Sequence, residues 1–234
     1  MDILEYYFAK LAAAFIRGKL ASNKEGYSLK PNLSEPLLDE LTDLELCEII
    51  ELGLTAGLRL HKFKRTMGLS RVQKVLGILH GLTPSNLLDV GSGRGTFLWP
   101  LLDAFPSLLV TSIDKEEQRI IDILAVNTGG ITNLTAKQLD ITELDFKDKS
   151  FDIVTMLEVL EHIPQAQKAL DQAVRVAKRF VILSVPTKED DNPEHIHLFN
   201  QDRLKAMFQT AGALQVRFDY VLNHIIAVAK VGNE

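Results

Sequence analysis

Cysteine is almost missing from this sequence: Cys47 stands alone among 234 residues. One thiol forms no intramolecular disulfide and no multi-cysteine zinc site, so the chain suits a reducing cytoplasm, where we expect it. Long apolar runs are missing as well. The first twenty residues, MDILEYYFAKLAAAFIRGKL, are apolar enough to raise a signal peptide. No basic leader opens them, and Glu5, Lys10 and Arg17 interrupt them, so they read as an amphipathic helix. No stretch reaches the roughly 20 apolar residues that cross a bilayer, and no membrane partner is expected. An excess of positive charge is also absent. The net charge of -5 gives no global attraction for nucleic acid and leaves room only for local basic patches. Internal repeats and low-complexity tracts are lacking too.

What is present is an ordinary globular composition, 46% hydrophobic and 24% charged, in two textures. Residues 1–82 read as helices and loops, a helical extension that forms a lid or a substrate pocket. Leu4, Phe8, Leu11 and Phe15 fall at helical spacing. Gly18 to Pro36 is rich in Gly, Ser, Asn and Pro and reads as a loop. Helices are expected from Pro36 to Leu52 and from Leu58 to Leu79, the latter carrying the basic cluster Arg59 to Arg65. Residues 83–234 alternate strand and helix. Strands are expected at Asn86–Val90, Leu108–Asp114, Thr132–Asp140, Phe151–Leu160 and Phe180–Pro186. Helices follow Phe97, Lys115, Pro164 and Asn200, and the last two strands close a hairpin. Such alternation implies an α/β fold, a mostly parallel sheet covered on both faces.

The informative stretch is LDVGSGRGTF, Leu88 to Phe97. Gly91, Gly93 and Gly95, with Ser92 between, let the backbone turn tightly and approach a ligand. A triphosphate loop would end in Gly-Lys-Ser or Gly-Lys-Thr; this one ends Arg94-Gly95-Thr96. A dinucleotide fingerprint places its third glycine one position later than Gly95. Three successive expected strands deliver acids to one edge: Asp89, Asp114 and Asp140. A cationic amino acid tail, a ribose and an adenine amine suit such a row, whereas a pyrophosphate is repelled by it.

On these motifs, the segment from Leu87 to Gly212 resembles the class I S-adenosylmethionine-dependent methyltransferases. LLDVGSGRG resembles their first motif, VTSID their ribose-binding acid, QLDI their adenine-side acid and SFDIVTMLEVLEHI their fourth-strand motif. The resemblance implies a Rossmann-like seven-stranded sheet, mostly parallel with its last strand antiparallel, flanked by helices. It implies S-adenosyl-L-methionine as cofactor. Asp89, Gly91, Ser92, Gly93 and Gly95 would hold the methionine end. Asp114, next to Lys115, would take the ribose hydroxyls. Asp140 and the Ile141 backbone would meet the adenine, and Glu158 would line the far side.

Chemistry at the acceptor is carried by EVLEHIP, which supplies Glu158, Glu161 and His162 as candidate catalytic residues. His195 and His197 follow the fifth strand. His162 is read as a general base or an acceptor orienter. A second reading makes Glu158, Glu161, His162 and His197 a divalent-metal site. Their E-x-x-E-H pattern resembles, in part, the small-RNA 3′-terminal ribose methyltransferases, which would make RNA the acceptor. A third makes Glu161 and His162 helix caps and packs His197 beside Phe199. The leading expectation is methyl transfer to an O or N atom of a small molecule. An oxidoreductase and a non-catalytic cofactor-binding protein stay open beside it. Acceptor and oligomeric state have no motif.

Overall fold

A computed structural model describes residues 3–22, 29–65, 68–188 and 191–232. Seven strands form one sheet: β1 (Asn86–Val90), β2 (Leu109–Asp114), β3 (Leu134–Gln138), β4 (Phe151–Leu157), β5 (Ala177–Pro186), β6 (Gln215–Val221) and β7 (His224–Lys230). Their order is β3-β2-β1-β4-β5-β7-β6. Strands β1 to β5 pair in parallel, and β7 runs antiparallel to both β5 and β6. The order reverses between β1 and β4, which makes their carboxyl ends the expected ligand crevice. The central strands are apolar on both faces because both are covered: Leu87 and Leu88 of β1 point to opposite sides and are both fully buried.

The helices are α1 (Ile3–Tyr6), α2 (Ala9–Ser22), α3 (Pro31–Ser34), α4 (Asp43–Thr55), α5 (Ser70–Leu82), α6 (Leu98–Ala104), α7 (Glu117–Thr128), α8 (Ala166–Val176) and α9 (Gln201–Thr210). Helices α8 and α9 cover one face, with Leu170, Ala173, Leu204 and Phe208 in its core. The other face is covered by α5, α6 and α7, and the N-terminal helices join the same apolar core. Helix α2 lies against α7 and α4 and is apolar almost all round, as a helix enclosed on several sides must be. Glycines permit that closeness. A Cβ on Gly18 would lie 1.9 Å from the Ala125 carbonyl oxygen, and one on Gly129 would lie 1.7 Å from that of Ala14.

The N-terminal elements differ from their expected bounds for local reasons. The apolar spacing through Phe15 spans a break: Tyr7 bridges Lys64, and the Phe8 N–H donates to the Phe63 carbonyl at 2.8 Å. This pairing draws 61–65 out of helix. The helix expected from Leu58 therefore begins at Ser70, and the basic cluster precedes it around a 3-10 turn, His61–Phe63. The helix expected from Pro36 starts at Asp43, because Thr42 and Glu45 form a reciprocal capping box there. The expected loop from Gly18 holds the end of α2 and all of α3, and its residues 23–28 lie outside the described residues. Helix α8 opens at Ala166, not at Pro164.

Candidate active site

The glycine turn joins β1 to α6. Gly91, Gly93 and Gly95 all have positive φ, at 67°, 56° and 85°. Two of them also need the missing Cβ. One on Gly91 would meet Val159 Cγ2 at 2.7 Å, and one on Gly95 would meet Trp99 Nε1 at 1.9 Å. Trp99 is buried and donates that N–H to the Arg94 carbonyl at 2.9 Å, so it belongs to the turn's support.

Asp89 closes the floor of the turn and is buried. Its carboxylate accepts from Ser92 Oγ at 2.6 Å and Thr155 Oγ1 at 2.8 Å, and Ser92 also meets Ser112 Oγ at 2.6 Å. Burial pushes the Asp89 carboxyl up to about 6, against the pull of the two hydroxyls. Asp114 accepts from the Gly93 N–H at 2.9 Å and the Glu116 N–H at 3.0 Å, and Arg119 Nη1 lies 3.3 Å from it. The acid that ends β2 thus clamps the glycine turn that follows β1.

Asp140 lies two residues beyond β3 rather than at its end, as the N-cap of a 3-10 turn, Ile141–Glu143. Partial burial opposes its ionisation, but Thr142 N–H and Oγ1, both at 2.8 Å, and Lys115 at 3.6 Å hold its carboxyl below the ordinary value. Lys115 is thus an ion partner of Asp140 in the structure. Ile141 is buried beneath.

Beyond β4 the chain turns at Glu158, a non-glycine residue at φ 57°. Its N–H donates to the Ser184 carbonyl at 3.0 Å and its Oε1 accepts from Ser184 Oγ at 2.7 Å. Oε2 meets His224 Nε2 at 2.9 Å, and Arg71 Nε lies 3.8 Å from Oε1. Glu161 is fully buried within the 3-10 turn Leu160–His162. Its carboxylate and one ring nitrogen each of His162 and His195 lie within 4.8 Å of one another. His162 Nδ1 faces the Glu194 carbonyl at 3.0 Å, and the backbone carbonyl of Glu161 accepts the N–H groups of Ile196 and His197.

This grouping corrects the expected metal set. Glu158 is turned towards Ser184 and His224, and His197 Nε2 meets the Ile163 carbonyl at 3.1 Å while its ring packs on Phe199. His195 stands where His197 was expected. Neither Glu161 nor His162 caps a helix, since α8 has no side-chain cap. On the other side of the glycine turn, a cavity of about 770 Å³ is lined by Phe15, Lys19, Arg59, Lys62, Gly93 and Arg119 among others. That size is typical of small-molecule sites. Lys62 and Lys19 both hold Asp122 of α7, which fastens the N-terminal segment beside the turn.

With this geometry in view, comparison with known proteins is decisive. The family model described as "Methyltransferase domain" matches residues 84–227, from before β1 into β7. The chain belongs to this family, the class I S-adenosylmethionine-dependent methyltransferases. It is 26% identical over 151 residues to the ubiquinone/menaquinone biosynthesis C-methyltransferase of Rickettsia bellii, covering 60% of this chain and 61% of that protein. It is 34% identical over 109 residues to the demethylmenaquinone methyltransferase of Staphylococcus aureus, covering 46% and 44%. The chain thus spans about half the length of these curated relatives. Among solved structures it shares its fold with the 1,6-didemethyltoxoflavin-N1-methyltransferase of Burkholderia thailandensis, determined with that compound and S-adenosylhomocysteine bound. The TM-score is 0.56 at 20% identity, over 70% of this chain and 79% of that one. No described helix is long and apolar enough to cross a membrane.

Three partners of Glu158 carry no signal in the sequence. Ser184 and His224 were hidden in strands, where nothing in an apolar β pattern marks a polar residue as a partner of Glu158. Arg71 lies beyond the basic cluster, in the first turn of α5, and no motif marks it. The usable signal was the sheet order: with β7 beside β5, the start of β7 must lie at the same edge as the end of β5.

Proposed function

We propose that the protein transfers the methyl group of S-adenosylmethionine to an O or N atom of a small-molecule acceptor. The observation that carries this reading is the row of Asp89, Asp114 and Asp140 along one sheet edge, with the glycine turn in front of it. Asp89 and the turn from Gly91 through Ser92 and Gly93 to Gly95 hold the cationic methionine end. Asp114, already rigid through two backbone N–H bonds, takes the ribose hydroxyls with lone pairs those bonds leave over. Asp140 and the Ile141 N–H meet the adenine, with Lys115 balancing the acid's charge. The donor brings its own leaving group, so the protein's work is alignment, exclusion of water and proton removal. Glu158, Glu161 and His162 stand on the acceptor side, where His162 orients the acceptor. Residues 1–82 form the wall or lid over it; Arg71 of α5, which reaches Glu158, supports that role.

The test is transfer of labelled methyl from S-adenosylmethionine to a metabolite extract split into small-molecule, RNA and protein fractions. Label in the small-molecule fraction supports the reading. Label only in RNA or protein, or in none, refutes it.

One observation favours a second reading. The Glu161, His162 and His195 donors are a histidine–carboxylate set suited to a divalent transition metal, and the Glu194 carbonyl on His162 is the kind of outer contact that fixes a metal-bound imidazole. When bound, such an ion would acidify an acceptor hydroxyl. Metal analysis of wild-type and Glu161→Ala protein, with S-adenosylhomocysteine present, decides this: an equivalent of metal lost in the variant supports it, and none in either removes it.

A further inference from the structure

We propose that His224 is the general base of methyl transfer, with Glu158 as its positioning residue. The inference rests on the methyltransferase reading above and adds which atom takes the proton. Four segments converge to build the pair: the first turn of α5 gives Arg71, the end of β4 gives Glu158, β5 gives Ser184 and the start of β7 gives His224. Register places His224 opposite Pro186, at the carboxyl edge of the sheet. Glu158 is immobilised there from several directions. Its backbone is held in the left-handed region, at a cost other residues avoid, by the bond from its N–H to Ser184. Its carboxylate is held by the Ser184 hydroxyl at 2.7 Å and by Arg71.

A carboxylate so fixed determines the imidazole beside it. Glu158 Oε2 only accepts, so His224 Nε2 carries the proton and donates it at 2.9 Å. Nδ1 then keeps its lone pair. His162 Nδ1, by contrast, faces the Glu194 carbonyl. The side chains of Arg71, Glu158 and His224 each stay about one fifth exposed, at 21%, 23% and 21%, so the pair faces an opening rather than the core. It also lies beside the donor site. Val159, the next residue, fills the space that a Cβ on Gly91 would need.

The step balances as follows. An acceptor X–H attacks the sulfonium methyl, and the X–C bond forms as the S–C bond breaks. The S–C pair stays on sulfur, leaving a neutral thioether. The proton on X passes to Nδ1 of His224, and the resulting imidazolium is stabilised by Glu158. The positive charge moves from sulfur to the ring, with no further reactant. Arg71 favours negative charge growing on X, so the acceptor class is a hydroxyl or enol whose oxygen must lose a proton to react.

Two measurements test this. Long-range ¹H–¹⁵N spectra of the ¹⁵N-histidine protein with S-adenosylhomocysteine should show His224 protonated on Nε2 and bare on Nδ1. The opposite tautomer overturns the proposal and leaves the methyltransferase reading intact. With the extract fraction that accepts methyl, His224→Ala should lower kcat by about 10²- to 10⁴-fold. Its affinity for S-adenosylhomocysteine should stay within about threefold, and added imidazole should restore part of the rate. A variant that keeps its rate, or loses it without rescue, overturns the base assignment alone. Failure of the wild type to methylate any fraction overturns both readings.

Discussion

At the scale of single residues, Asp89 ties stability to pH and, in the proposed donor site, to ligand binding. Its carboxyl rises from 3.8 to about 6 in the fold because it is buried. Between those pH values the folded protein holds a proton that the unfolded chain has released. The stability gained from that proton is complete below about pH 4 and lost as pH rises through 6. At neutral pH the ionised group costs about 3 kcal/mol, the product of the shift and about 1.4 kcal/mol per unit. We expect Asp89→Asn to unfold at higher denaturant than wild type at pH 7.5, with the difference shrinking towards pH 4 in parallel urea titrations. In the proposed donor site the same charge would face the cationic amino group of the donor. Affinity for S-adenosylhomocysteine should therefore rise with pH up to about 6.5 in wild type and stay flat over that range in Asp89→Asn, measured by calorimetry. Gly95 is constrained differently. Alanine there needs φ 85° and meets the ring of a buried tryptophan, so Gly95→Ala should cost about 2–4 kcal/mol in urea unfolding.

At the scale of elements, the close pair is α2 on α7. A Cβ on Gly18 meets backbone, which cannot rotate away, so Gly18→Ala should cost about 3 kcal/mol, read from the shift in urea midpoint at unchanged slope. Elements of the sheet were legible because each carries its own boundary signals: an apolar run, a glycine turn, a cap such as Asn200. The N-terminal helices were not. The break at Tyr7 and the late start of α5 come from pairing between residues 6–8 and 63–65, more than fifty positions apart. No local pattern records that contact. The placement of Asp89 and Asp114 at the sheet edge was legible because strand ends fix it, although Asp140 proved to be a turn cap just past its strand. Glu158 was legible, but its partners were not: Ser184 and His224 become neighbours only through the order of β4, β5 and β7.

At the scale of the molecule, one sheet edge gathers nearly all the residues of the proposed site. The sheet order puts β1 and β4 at its centre, with the acids on the β1–β3 side and Glu158, Ser184 and His224 on the β4–β7 side. The proposed donor and acceptor halves of the reaction rest on that division. The central claim is that the acidic half receives the methyl donor. Calorimetric titration of S-adenosylhomocysteine into wild-type and Asp114→Asn protein at pH 7.5 tests it most directly. The account predicts one site in the wild type and binding at least tenfold weaker in the variant, both proteins folded by circular dichroism. Equal binding by the two, or none by the wild type, would contradict it.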